Sequence, residues 1–113
     1  VASDPHRENR FRSNIGYRTW INMNQDEMTS IKIGQELEAF AKKKNLMFES
    51  LDERQLAKKG LNLLVAVGQA SELSPSRLHL VSSNVQPGDK PLLLVGKGVT
   101  FDTGGINVKP HLI

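Results

Sequence analysis

Pro91-Leu92-Leu93-Leu94-Val95-Gly96-Lys97-Gly98-Val99-Thr100-Phe101-Asp102-Thr103-Gly104-Gly105-Ile106-Asn107-Val108-Lys109-Pro110 is the stretch on which the reading turns. Its first five residues form a short apolar run, the pattern of a strand buried on both faces. The run leads into a loop with Gly96, Gly98, Gly104 and Gly105, and ligands of open α/β sheets bind beyond the carboxyl ends of strands. Glycines widen the backbone conformations open to such a loop, so Lys97 and Asp102 can converge in it. Ile106-Asn107-Val108-Lys109 alternates, which lets Lys109 turn back toward the same place. A phosphate loop needs G-x-x-x-x-G-K-[ST], and only Gly96-Lys97-Gly98 is present, with no helix signal after it. On spacing alone, glycines that merely turn a corner beside solvated lysines remain an open alternative.

Working upstream, Pro87-Gly88-Asp89 reads as a turn and Arg77 to Val81 as a strand. Leu61 to Val67 is apolar throughout and closes at Gly68, which leaves strand and buried helix equally open. Asp52 with Gln55 three residues on is a capping box opening a short helix that Gly60 ends. Leu46 to Leu51 reads as a strand. Thr29 is a helix N-cap, Ile33, Leu37, Phe40 and Ala41 fall on one helical stripe, and Asn45 is suited to a left-handed end. Residues 1–20 show no period and read as an irregular arm; Asn22 to Asp26 is turn-like. Helices and strands interleave without a repeat, which argues for an α/β fold of three layers, α/β/α, or part of one.

The composition of the 113 residues, 38% hydrophobic and 24% charged, is that of one globular domain or a piece of one. There is no cysteine, so disulfides and thiolate metal sites are excluded. No apolar run approaches the roughly 18 residues of a membrane span. An opening Val1-Ala2-Ser3-Asp4, with neither methionine nor an apolar signal core, suggests a trimmed chain or a fragment. Net charge is +3, but Lys42-Lys43-Lys44 and Lys58-Lys59 stand where helices end and complement the terminal carbonyls. Aromatic residues are 5% and not interleaved with the basic ones, so nothing points to nucleic acid. His6, His79 and His111 lack ligand spacing, and His79 reads as a packed residue on a strand face. Trp20 and Phe40 read as core; Glu49, Asp52 and Glu53 read as a strand end and a cap.

The run Leu93 to Ile106 with Lys109-Pro110 resembles, without a gap, the signature that opens the catalytic domain of the M17 leucyl aminopeptidases. Leu51-Asp52-Glu53 to Gly60, and Leu64-x-Ala66-Val67-Gly68-Gln69-Ala70-Ser71, are similar to the family's preceding segment. The likeness reaches back, more weakly, to Arg18. It implies an interdomain arm over residues 1–28 and, over 29–113, the first part of a three-layer catalytic domain with a mixed central sheet. It further implies a cytoplasmic exopeptidase, hexameric by family, that releases leucine-like N-terminal residues from peptides with two divalent metal ions (zinc or manganese, with magnesium or cobalt as alternatives). Carried over by position, Lys97 and Asp102 are metal ligands and Lys109 is the catalytic lysine. Gly104 and Gly105 would allow close backbone approach, with Thr103 and Asn107 as scaffold.

One departure stands out. Where the family pattern is Asn-x-Pro-x-Asn-x-x-Thr-Pro, this chain has Asn22-Met23-Asn24-Gln25-Asp26-Glu27-Met28-Thr29-Ser30, without either proline. The remaining acidic ligands and the catalytic arginine of the family fall beyond Ile113, so residues 1–113 by themselves are expected to be inactive and to bind Mn²⁺ or Zn²⁺ weakly. The competing reading is a truncated, non-catalytic relative that serves as a binding or assembly module.

Overall fold

The computed structural model describes residues 4–24, 26–83, 86 and 88–100. Within them the chain runs α1 (Pro5–Asn22), α2 (Ser30–Lys44), β1 (Met47–Leu51), α3 (Glu53–Lys58), α4 (Asn62–Gly68) and β2 (Leu78–Ser82). It is an α/β unit whose described sheet has two antiparallel strands, β1 and β2.

Most elements follow from their end signals. In α2, the Thr29 hydroxyl accepts from the Lys32 N–H at 3.2 Å, and Asn45 closes the helix at φ 54°, ψ 45°. Lys42, Lys43 and Lys44 fill the last turn, beside its unsatisfied carbonyls. Asp52 and Gln55 form the reciprocal capping box of α3, with bonds of 2.8 and 2.9 Å. Gly60, at φ 75°, takes the chain out of that helix. The apolar run after it is helical, α4, and none of its side chains is buried. Near residue 88, the Gln86 carbonyl accepts from the Asp89 N–H at 3.0 Å, the turn expected there; Pro87 lies outside the described residues.

Two expectations are corrected. The segment expected to be an irregular arm is helical from Pro5, started by Asp4, whose carboxylate accepts from the His6 N–H at 3.0 Å, with Pro5 in the first turn. The helix was hidden because none of its residues is buried and its apolar residues form a stripe only near its end, at Tyr17, Trp20 and Ile21. The Pro91–Val95 run forms no strand among the described residues, and its side chains are not buried. Leu92, Leu93, Leu94 and Val95 are 78–87% exposed, because no described element covers either side of them.

The pairing Ser50↔His79 and Phe48↔Val81 puts four side chains on one face of the two-stranded sheet, and both strands contact α2. There His79 stacks on Phe48, ring centroids 6.0 Å apart and 22° from parallel, as a diagonal cross-strand pair. The Ser30 carbonyl accepts from His79 Nε2 at 3.0 Å, a partner that places the ring proton on Nε2. Gly34 of α2 is what lets the ring come so close, since a Cβ there would lie 2.6 Å from His79 Cε1. His79 is thus a packing residue, as expected. Met28, Ala41, Leu51 and Leu56 form the buried apolar core, whereas Phe40, expected inside, is 48% exposed.

Candidate functional site

The last described residues, Lys97 to Thr100, lie across from the C-terminal end of α1. Between them is a recess of about 390 Å³, at the low end of the range for small-molecule sites. Tyr17, Trp20 and Ile21 line it from α1, Met23, Asn24 and Met28 from the connection to α2, and Ile33 from α2 itself. The floor is therefore mainly apolar and aromatic. Lys97 lines this recess, is exposed, and pairs with no carboxylate among the described residues. A wider depression of about 550 Å³ has a described lining from α1 alone, including His6 and Arg10, and does not include Lys97.

The connection from α1 to α2 is built by Asn24. Its side-chain Oδ1 accepts from the N–H of Asp26 at 3.0 Å and of Glu27 at 3.1 Å, and its carbonyl accepts from Met28 N–H at 3.0 Å. An asparagine turn of this kind shapes the backbone through its own side chain. Met28 follows, only 6% exposed, and Thr29 then caps α2. Ser30 is anchored across the fold: its N–H donates to Ser74 Oγ at 2.9 Å and its hydroxyl to the Pro75 carbonyl at 2.6 Å. Both residues stand where the family pattern has proline, and both make bonds proline would forbid or lack.

Of the residues singled out from sequence, the structure places Lys97. Asp102, Lys109, Thr103, Gly104, Gly105, Asn107 and His111 lie outside the described residues. Gly96 and Gly98 have ordinary φ, and a Cβ on either would meet nothing within 4 Å, so no special backbone conformation requires glycine at these two positions. Among the described residues no group of three His, Cys, Asp or Glu side chains could hold a metal ion. Lys97 is exposed and makes no ion pair among the described residues; an amine ligates a metal only as the free base. The wall facing Lys97 was missed from sequence. Its signal was present in the i, i+3, i+4 spacing of Tyr17, Trp20 and Ile21, a helical stripe inside a segment read as irregular.

Residues 16–112 match the model of the cytosol aminopeptidase family, catalytic domain (peptidase family M17). A probable cytosol aminopeptidase of Pseudomonas syringae pv. tomato is 46% identical over 79 residues, which is 69% of this chain and 16% of that protein. One of Acinetobacter baylyi is 52% identical over 60 residues, 53% of this chain and 12% of the relative. One of Nostoc punctiforme is 39% identical over 82 residues, 73% of this chain and 17% of the relative. The chain thus spans about one-sixth of the length of the first of these relatives. No solved structure matches. No helix among the described residues is long and apolar enough to cross a membrane.

Proposed function

The chain belongs to the M17 cytosol aminopeptidase family, and on that premise we propose that it is part of a metal-dependent aminopeptidase acting on the N-terminal residue of peptides, with leucine-like residues preferred. Residues 1–28 are then an interdomain arm with a helix in it, and 29–113 the first part of a three-layer α/β/α catalytic domain on a mixed sheet. The observation that carries the reading is the signature from Leu93 to Pro110, whose first functional residue, Lys97, stands exposed at the rim of an apolar recess.

Lys97 offers a neutral amine and Asp102 a carboxylate to a pair of divalent cations, zinc or manganese, with magnesium or cobalt as alternatives. Such cations supply Lewis acidity at the scissile carbonyl and acidity to a water nucleophile. The protein's own work is threefold. Lys97 must give up its proton, which an adjacent dication favours. Asp102, acceptor-only when ionised, adds the negative charge that a dicationic site requires. Lys109 keeps its proton and stabilises the oxyanion that develops at the substrate carbonyl. Two ligands do not complete such a site, so residues 1–113 alone are inactive in this reading, and the whole protein is a cytoplasmic homo-hexamer.

The test uses the full-length protein with added Mn²⁺ and a leucine-initiated tripeptide, with a free or an acetylated amino terminus. Release of leucine from the free peptide alone is expected. Cleavage of neither peptide would favour the non-catalytic binding module, and internal cleavage would contradict an exopeptidase.

A further inference from the structure

We infer that Ser50 and His79 form one hydrogen-bonded pair, the Ser50 hydroxyl donating to His79 Nδ1, and that this pair latches the first turn of α2 onto the sheet. The two residues stand directly opposite each other across β1 and β2. Ser50 Oγ and His79 Nδ1 are both buried, and neither has a hydrogen-bond partner among the described residues. Their chemistry is complementary. His79 donates from Nε2 to the Ser30 carbonyl at 3.0 Å, so its Nδ1 carries a lone pair that needs a donor, and a hydroxyl is one. Phe48 and Val81, which share that face, carry no polar side-chain atom. Arg77 Nε is another buried donor without a described partner, but it lies two residues along the same segment rather than opposite the ring. Directly opposed side chains have Cβ atoms about 5 Å apart, a span that a serine hydroxyl covers by turning about χ1. The hydroxyl is the mobile member, because Ser30, the Phe48 stack and the close approach to Gly34 all hold the ring. A buried polar atom left without a partner costs stability, so one rotation removes two such costs. The resulting chain runs from Ser50 through His79 to Ser30, which itself donates to Ser74 Oγ at 2.9 Å and to the Pro75 carbonyl at 2.6 Å. It joins β1, β2, α2 and the segment before β2.

The test is amide hydrogen exchange, followed by mass spectrometry on the full-length protein, in the peptides that contain β1, β2 and the start of α2, with α1 as internal reference. Ser50→Thr keeps a hydroxyl, and Ser50→Val has the same shape without one. In these peptides Ser50→Val is expected to exchange about tenfold faster than Ser50→Thr, the effect of leaving one buried acceptor without a donor, while α1 exchanges equally in both. Ser50→Ala, which adds no bulk, should likewise exchange about tenfold faster than the unsubstituted protein. In a His79→Phe background the acceptor is gone, and Ser50→Val should exchange no faster than Ser50→Thr. Equal exchange of Ser50→Val and Ser50→Thr with His79 in place, or unchanged exchange in Ser50→Ala, would overturn the inference. So would a tenfold difference that persists in the His79→Phe background, since the hydroxyl would then serve some other partner.

Discussion

Gly34→Ala is expected to destabilise the protein although alanine is the better helix former. In α2 the exchange gains about 1 kcal/mol of helix propensity. Against this, the new methyl carbon would sit 2.6 Å from His79 Cε1, 3.2 Å from Nε2 and 3.3 Å from Nδ1. The ring must move, and two restraints oppose it. One is the bond to the Ser30 carbonyl, 3.0 Å long and worth about 1 kcal/mol. The other is the stack on Phe48 at 6.0 Å, worth about 1 kcal/mol beyond the area it buries. Losing both outweighs the gain and leaves a net destabilisation of about 1 kcal/mol. In a His79→Ala background the obstruction is gone, and Gly34→Ala should stabilise by up to about 1 kcal/mol. Urea unfolding of the unsubstituted, single and double variants, compared at constant m-value, reads the cycle. Stabilisation by Gly34→Ala in the unsubstituted background would refute this account. So would additivity of the two changes to within about 0.5 kcal/mol.

Asp52→Ala removes the acceptor for the Gln55 N–H and should cost about 1 kcal/mol, with Asp52→Asn retaining most of the stability in the same unfolding assay. Ser30→Pro restores the residue of the family pattern, and proline is welcome at a first helical position. Here it should nonetheless lower the thermal midpoint, by about 2 kcal/mol of stability, through loss of the bonds to Ser74 and Pro75. Ser30→Ala, which loses only the hydroxyl bond, should cost about half as much. An unchanged or raised midpoint for Ser30→Pro would show that the two bonds contribute nothing net.

Features set by near neighbours in sequence were legible. The Thr29 and Asn45 ends of α2, the Asp52–Gln55 box and the positive φ of Gly60 need only a few residues to define them. Features set by distant partners were not. α1 has good capping but buries nothing, and the apolar period that reveals a helix is confined to its last turns. The run Leu92 to Val95 has the composition of a covered strand, yet burial depends on what packs against a segment, and no described element does. Lys97 was singled out through the family signature around it, while the recess it lines depends on α1 meeting the chain some eighty positions later. The spacing of Tyr17, Trp20 and Ile21 was visible, but nothing in the sequence joined it to Lys97. Likewise the missing prolines were plain to read, and the bonds of Asn24 and Ser30 that stand in their place were not.

The most direct measurement is the Mn²⁺ affinity and leucine-releasing activity of the full-length Lys97→Arg variant. Arginine keeps the positive charge and much of the length but does not give up its proton, so it cannot act as a neutral nitrogen ligand. If Lys97 is a metal ligand, Mn²⁺ binding weakens at least tenfold, the least that loss of even a group supporting a ligand costs, and leucine release falls with it. If Lys97 is only a solvated lysine at a glycine corner, both quantities stay where they were, and the account of this loop as a metal-binding, catalytic one is wrong.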